Sequence, residues 1–315
     1  MKKSIRMSCK GLSDTPLHFI FRYKGDSVGR YRRYPRCGGV SQGSALKTPV
    51  MDPAGILFKL KPFIEKIMTM SMFISGSLLL AAGGIFHLLE NRNPLEEIDR
   101  KKHLKFDLTV VTVSSLMVAG ITILLLDGIV RTWLTNNVEL FESIISQSLW
   151  IRILLALVVG DFGYYIAHRL MHTSTLWRTH VFHHSIQEIY WFSGLRTSAM
   201  NSLIIRLPYL IAMCMFAIPA STVAVIAICL GAVNFWVHSN LDVSLGPLDY
   251  IFITPPFHRA HHSMAEIAID RNFGNIFSCW DYIFDSAVNP TDELNISEKG
   301  FEIESQTVVR QIIGI

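Results

Sequence analysis

The chain has 315 residues, of which 50% are hydrophobic and 17% charged, and its formal net charge is +4. This composition excludes a disordered chain, which needs low hydrophobicity, and the five cysteines, which form no CxxC pair, exclude a disulfide scaffold. The remaining class is an integral membrane protein, in which apolar residues cluster into long uncharged stretches.

The N-terminal segment carries the positive charge. Residues 1–50 hold eleven Lys and Arg against two acidic residues, whereas the rest of the chain holds 18 basic and 23 acidic residues. The segment lacks the apolar core of a secretory signal peptide. Three interpretations stay open: a transit peptide, a disordered tail, and sequence ahead of a start at Met51. Because no aromatic or helical pattern accompanies the charge, we expect no nucleic-acid partner.

Long apolar stretches follow this segment and predict membrane-spanning helices. Residues 53–67 alternate apolar side chains with lysines, as an interfacial amphipathic helix does. The predicted spans are 68–89, about 108–130, 148–167, about 203–218 and 220–237. Pro219 separates the last two, which predicts a hairpin of two half-length or tilted helices.

Nine of the twelve histidines lie between positions 168 and 262, in a regular pattern. His168 and His172 are four residues apart, the sequence HxxHH occurs at 180–184 and again at 258–262, and His238 stands alone after the last predicted span. On a helix, residues three or four apart share a face, and neutral imidazole is a ligand for iron, zinc, copper and nickel. The pattern therefore predicts a metal site, and His18, His87 and His103 are interpreted as ordinary histidines outside it.

The number of histidines exceeds the needs of one metal ion. A zinc site uses four ligands and an octahedral site uses six, so two metals with open positions fit the count. The chain contains no ExxH pair, which argues against a carboxylate di-iron bundle. It contains no HExxH sequence either, which argues against a membrane zinc protease.

Three motifs resemble the histidine boxes of the fatty acid hydroxylase / sterol desaturase superfamily. They are HRLMH at 168–172, HVFHH at 180–184 and HRAHH at 258–262. The flanking sequences GDFGYYIAHR at 160–169, TPPFHRAHHS at 254–263 and DRNFGNIFSCWDYIFDS at 270–286 strengthen the resemblance, and the last favours alkylglycerol monooxygenase-like or bacterial sterol-desaturase-like members. There are two departures. Phe284-Asp285-Ser286 replaces the usual Phe-Gly-Thr, and Asn234 stands where some members have a further histidine.

The resemblance implies a membrane enzyme with a cytosol-facing centre of two iron ions. Such an enzyme uses O2 as co-substrate and two electrons from a reductase or small electron carrier to hydroxylate or desaturate a membrane lipid. The implied metal ligands are His168, His172, His180, His183, His184, His238, His258, His261 and His262.

Four other residues are candidates for functional roles, and three of them, Arg196, Asn272 and Asp281, resemble family positions. Asp161 precedes His168 by seven residues, on the same helical face, and is a candidate to fix the tautomer of a histidine ring. An alternative interpretation is a carboxylate at the membrane boundary. Arg196, Asn272 and Asp281 are candidates to orient the ligands or to close the site.

Two further questions stay open from the sequence. Tyr190, Trp191, Phe192 and Trp280 are interpreted either as the lining of a lipid pocket or as an aromatic belt at the membrane interface. A membrane metal transporter is the rival to the enzyme, but its ligands would lie at mid-depth within spans, whereas the boxes follow spans in arginine-containing segments. A metal-dependent lipid hydrolase is the alternative if the metal is zinc.

The predicted fold is an all-α integral membrane protein with four to five membrane helices and a cytosolic helical cap that carries the three boxes. The loop 91–107 holds five basic residues and 131–147 holds only Arg131, so the positive-inside rule places the boxes in the cytoplasm. The predicted domains are a disordered basic tail (1–50), an amphipathic segment with the first membrane helices (51–147), a catalytic domain (148–287) and a polar C-terminal tail (288–315).

Overall fold

All regular structure in the described part of the chain is helical. The computed structural model describes residues 74, 76–124, 142, 144, 146–301 and 308–315, which lie in one compact unit. These residues contain helices and isolated bridges but no strand, and this confirms the predicted all-α class. The predicted basic tail and the amphipathic stretch 53–67 lie outside the described residues.

Ten helices are described. They are α1 (76–92), α2 (Arg100–Leu124), α3 (Leu149–Met171), α4 (Trp177–His184), α5 (Ala199–Met215), α6 (Ala220–Val237), α7 (Pro255–His261), α8 (Cys279–Ile283), α9 (Asp292–Asn295) and α10 (Val308–Ile313). Short 3-10 helices occur at Ser193–Leu195, Gly246–Tyr250 and Glu266–Ala268. Local signals fix several ends, because the Ser198 side chain accepts from the Asn201 backbone at the start of α5 and Pro219 precedes α6.

Helix α3 is the one described helix that is long and apolar enough to cross a membrane. Its exposed apolar side chains form a continuous stripe along its length: Ile151, Leu155, Val159, Phe162, Ile166 and Leu170. Helix α3 confirms a long apolar helix at the predicted span 148–167, and its crossing of a membrane stays a prediction. Helices α5 and α6 are apolar but shorter, as predicted for the hairpin around Pro219. The predicted spans 68–89 and 108–130 extend beyond the described residues, so the total of four to five stays a prediction.

Two glycines let α3 pack closely against α5. A Cβ atom at Gly160 would lie 2.7 Å from the ring of Tyr209 and 3.0 Å from its Cα, and a Cβ at Gly163 would lie 2.7 Å from Pro208. All three distances are shorter than ordinary van der Waals contact. The close approach holds the histidine-bearing end of α3 against the segment that begins α5.

Three carboxylates from α1, α2 and their loop pack against the histidine-bearing segments. Glu90 accepts hydrogen bonds of 2.8 Å from the backbone N–H groups of Trp191 and Asn240. Glu96 forms a 2.8 Å ion pair with Arg259, and Asp107 forms a 2.6 Å ion pair with Arg196. These contacts place the 91–107 segment beside the boxes, as the predicted topology requires.

The segment predicted as a polar C-terminal tail is partly folded onto the core. Leu294 is buried against Ala260, and Lys299, which is 4% exposed, donates to the Asn295 backbone at 2.7 Å. Residues 288–301 of this segment are therefore packed against the histidine-bearing unit, and Lys299 also reaches Glu96 of the loop after α1.

The α3–α5 contact yields a matched pair of glycine variants. We expect Gly160→Ala to lower the free energy of unfolding by about 1–3 kcal/mol, since Tyr209 leaves no room for a methyl group. Gly84→Ala, at a helical glycine with open space around its Cβ position, should be neutral or stabilising by up to ~1 kcal/mol. Thermal unfolding of the detergent-solubilised chain measures both, and equal effects would contradict this packing.

Candidate metal centre

The nine predicted ligands come together in two clusters. The ligand nitrogens lie within 4.8 Å of one another in a five-histidine cluster (His168, His172, His180, His184 and His261) and in a four-histidine cluster (His183, His238, His258 and His262). His87 and His103 belong to neither, and His18 lies outside the described residues. The structure thus brings together every histidine of the three boxes, with His238.

Each of the two HxxHH boxes gives two histidines to one cluster and one histidine to the other. The first and fifth residues of each box, four apart on one helical face, enter one cluster, and the fourth residue enters the other. Helix α4 therefore gives His180 and His184 to the five-histidine cluster and His183 to the four-histidine cluster. Helix α7 does the reverse, because it gives His261 to the first cluster and the remaining two histidines to the second.

Hydrogen bonds to backbone carbonyl groups fix the tautomers of four rings. The Nδ1 atoms donate to the carbonyl oxygens of other residues as follows: His168 to Phe273 at 2.7 Å, His183 to Arg196 at 3.1 Å, His238 to Asn234 at 2.9 Å and His261 to Arg271 at 2.6 Å. A carbonyl oxygen can only accept, so each Nδ1 carries the hydrogen. The Nε2 atom of each neutral ring is left with a lone pair that faces the cluster.

The donor set fits bound cations. The Nε2 atoms of His183 and His238 lie 3.2 Å apart, yet both carry lone pairs and cannot hydrogen-bond to each other. The Nε2 atoms of His172, His261 and His262 are buried without any hydrogen-bond partner in the described part of the chain. Facing lone pairs and orphaned buried nitrogens are costly in the absence of a positive charge between them. Metal ions that bind several imidazole nitrogens would satisfy both clusters.

Burial keeps the rings neutral. It lowers the pKa of His172 to about 2 and the pKa of His238 and His261 to about 4. It also lowers the pKa of His180, His183, His184, His258 and His262 well below the usual range, and repulsion among neighbouring rings adds to this effect. A metal ligand must be the neutral imidazole, so the site is already in the protonation state that ligation needs.

The family-like residues Arg196, Asn272 and Asp281 support the backbone around the ligands. Arg196 contributes its carbonyl oxygen to His183 and its side chain to Asp107. The Asp281 carboxylate accepts from the Phe273 and Gly274 backbone N–H groups at 2.8 Å, and so positions the carbonyl that holds His168. Asn272 has φ of 58° and its amide bonds to Phe257 and Val288.

Asp161 does not meet a histidine ring, contrary to the prediction. Its carboxylate accepts from the Tyr209 hydroxyl, from the backbone N–H groups of Ile276 and Phe277, and from the Trp280 indole at 3.0 Å. Seven residues along a helix share a face but are separated by about 10 Å, too far for contact between the side chains. Asp161 instead anchors the 276–280 segment to α3.

The four aromatic candidates have separate structural contacts. Tyr190 is 1% exposed and donates to Asp107, while the Trp191 ring packs over Gly83 and against Phe235. The Phe192 ring contacts Trp191, and Trp280 is held by Asp161. Two cavities in the described part of the chain, of about 440 and 610 Å³, are lined by other residues. None of the four residues lines either of these two cavities.

Sequence reasoning missed the residues that complete the site from outside the boxes. The Asn201 amide oxygen accepts from His180 Nδ1 at 2.6 Å, and Asp270 accepts from His172 Nδ1 at 2.9 Å. Gly194 is also required, because a Cβ there would overlap the His238 ring. The only sequence signal is the place of Asp270 at the start of the flanking sequence 270–286; Asn201 and Gly194 carry none.

The two departures from the family pattern are accommodated. Asp285, in place of the usual glycine, has φ of 54°, a left-handed conformation that Asp tolerates better than most residues. Its carbonyl oxygen accepts from Arg271 at 2.7 Å. The backbone carbonyl of Asn234 accepts the Nδ1 hydrogen of His238. The four-histidine cluster therefore forms without the further histidine that some family members have at position 234.

Comparison with known proteins shows which family this part of the chain resembles. Residues 153–286 match the family model for fatty acid hydroxylases, and this confirms the resemblance predicted from the boxes. The chain is similar to an ornithine lipid hydroxylase of Rhizobium tropici, with 32% identity over 44% of this chain and 42% of the relative.

A second relative is the human alkylglycerol monooxygenase, with 36% identity over 39% of this chain and 28% of the relative. A third is the rat methylsterol monooxygenase 1, with 26% identity over 42% of this chain and 44% of the relative. The chain thus covers less than half of each of these relatives. No solved structure matches it.

The hydrogen bond from His180 to Asn201 generates a prediction about metal affinity. Asn201→Ala should weaken metal binding by about 10–100-fold, because residues that orient a ligating histidine typically contribute that much. Asn289→Ala is the matched control, since Asn289 is exposed and its amide oxygen accepts from Tyr282. Metal retained per chain after equilibration with buffered Fe²⁺ or Zn²⁺ measures the effect. Equal retention by the two variants would refute the assigned role of Asn201.

Proposed function

We propose that the chain is an O2-dependent membrane oxidoreductase that hydroxylates or desaturates a lipid at a centre of two iron ions. The observation that carries the proposal is the pair of buried, all-imidazole clusters, of five and four histidines, within one compact unit. The relatives support an oxidation, because each of the three is named a hydroxylase or monooxygenase of a lipid or sterol.

Each cluster would hold one iron ion. Iron there would supply the activation of O2 with electrons from an external reductase or small electron carrier, chemistry that zinc lacks. The boxes of α4 and α7 each contribute histidines to both clusters, so these two boxes would help to hold both ions.

The residues of the chain keep the rings in place and keep water out. The backbone carbonyls of Phe273, Arg196, Asn234 and Arg271 hold the Nδ1 hydrogens, so the Nε2 lone pairs stay directed at the centre. Eight of the nine rings are buried, and only His172 is partly exposed. An enclosed site protects reactive species from bulk water.

The surroundings of the clusters suit an apolar substrate that arrives from a membrane. Helix α3, which carries His168, is apolar enough to span one, and its outward stripe is uncharged. A cavity of about 610 Å³ lies between α3 and α6, lined mainly by apolar residues such as Leu157 and Leu230. Leu157 precedes His168 by eleven residues, about 16 Å along the helix, so the cavity suits the distant part of an aliphatic chain.

We place the centre at the cytoplasmic membrane surface. His172 and His238 are the C-caps of α3 and α6, so the ligands lie at the ends of the apolar helices and not at mid-depth. This position fits an enzyme that meets a lipid from one side and an aqueous electron donor from the other, and it does not fit a metal transporter.

The experiment that tests the function follows labelled oxygen into lipid. Cells that express the chain are grown with ¹⁸O2, and their lipid extracts are compared with those from cells expressing His184→Ala. A hydroxylated product should carry the label, whereas a desaturated product should lack it but still require O2. His184→Ala should abolish either product, because a ligand of the five-histidine cluster is lost.

His87→Ala is the matched control, because this histidine belongs to neither cluster and should leave the product unchanged. Membrane insertion and the amount of folded chain are measured for both variants, since loss of a ligand can destabilise a metal-bound fold. A product that forms equally well without oxygen would rule out the oxygenase and favour a metal-dependent lipid hydrolase.

A further inference from the structure

Two separate segments outside the predicted spans expose large apolar side chains. The first is the 3-10 helix Gly246–Tyr250 with the two residues after it, and the second is the end of α8. We call their six exposed residues the interfacial patch: Leu248, Tyr250, Ile251, Phe252, Ile283 and Phe284, with exposed fractions from 36% to 64%. Contiguous apolar surface of this kind marks an interaction site.

Direct contacts join the two segments into one surface. Phe252 and Phe277 form a bridge, and the Tyr250 and Tyr282 rings lie 5.1 Å apart. The Ser278 hydroxyl donates to the Asp249 carbonyl at 2.7 Å. The patch is therefore a fixed feature of the fold, although its residues come from positions about thirty apart in the chain.

The two carboxylates within these segments are hydrogen-bonded. The Asp249 carboxylate accepts from the Leu245 backbone at 2.7 Å and from the Ser244 hydroxyl at 2.6 Å. Asp281 is fully buried and bonded to backbone N–H groups. The exposed Asp285 follows the patch at its edge, so the surface suits an apolar medium with a polar boundary for its tyrosines and this carboxylate.

The patch continues the outward stripe of α3. The Phe162 ring belongs to that stripe and lies 5.1 Å from the Trp280 ring and 5.8 Å from the Phe284 ring. A bilayer that surrounds α3 would reach the patch without a break. This continuity favours the bilayer over a second protein as the occupant, because the same apolar medium would cover both surfaces.

We infer that the interfacial patch inserts into the boundary between lipid headgroups and acyl chains, as an interfacial element does. The inference rests on the membrane location proposed for α3, and it adds a second, non-spanning membrane contact. Asp281 of α8 also holds Phe273, whose carbonyl fixes His168. Insertion of the patch would therefore set the height of the histidine clusters above the membrane core.

Site-specific labels test the insertion independently of catalysis. In the full chain with its five cysteines replaced by serine, single cysteines are introduced as Ile251→Cys, Ile283→Cys or Ile296→Cys and labelled with an environment-sensitive fluorophore. Ile296 is the matched control, because it is 67% exposed against 64% for Ile283 but lies outside the patch, beside α9. The labelled chains are reconstituted into vesicles that contain either plain or nitroxide-bearing phospholipid.

We expect nitroxide lipid to quench the labels at 251 and 283 several-fold more than the label at 296, and aqueous iodide to give the reverse order. Iodide quenching that is equal at all three positions would overturn the inference. Shielding of 251 and 283 from both quenchers would also overturn it, because a second protein copy would then cover the patch. If the label at 283 prevents folding, judged by gel filtration, Leu248→Cys replaces it. Lipid oxidation plays no part in the readout, so loss of activity leaves this result unaffected.

Discussion

Nine imidazole rings packed into two largely buried clusters impose the main constraint on this structure. The lone pairs of His183 Nε2 and His238 Nε2, 3.2 Å apart, repel, and burial prevents water from separating them. Cations between the rings would relieve this repulsion, and six of the nine rings also find an acceptor for the Nδ1 hydrogen. The segments around the clusters fold so that their oxygen atoms accept these hydrogens.

Irregular backbone supplies several of these acceptors because most helical carbonyls are already bonded; the carbonyl of Asn234, within α6, is the exception. Phe273 and Arg271 offer free carbonyl oxygens because 270–278 forms no helix, with left-handed residues at Asp270 and Asn272. This segment is stabilised in turn by buried carboxylates: Asp281 binds its middle and Asp161 binds its end. The motif that flanks the last box is therefore structural support for His168 and His261.

Carboxylates from outside the family-matched residues 153–286 complete the support. Glu96 and Asp107 neutralise the arginines that lie within and between the boxes, and Glu90 binds two backbone N–H groups of the same region. Removal of one partner of a buried pair commonly costs about 3–5 kcal/mol, because the other charge stays buried. The N-terminal helices are thus part of the site as well as candidates for the membrane.

The sequence by itself determined the helical class, the long apolar helix α3, the family resemblance and the identity of the nine clustered histidines, since these depend on composition, on short motifs and on local helical spacing. Only the tertiary structure decided how the histidines divide between clusters, that Asp161 holds Trp280 and not a ring, and that Asn201, Gly194 and Asp107 complete the site. Periodicity reports which residues share one face of one helix. It carries no information on which carbonyl or carboxylate a distant segment brings to that face, because long-range contacts depend on how the helices and turns pack together.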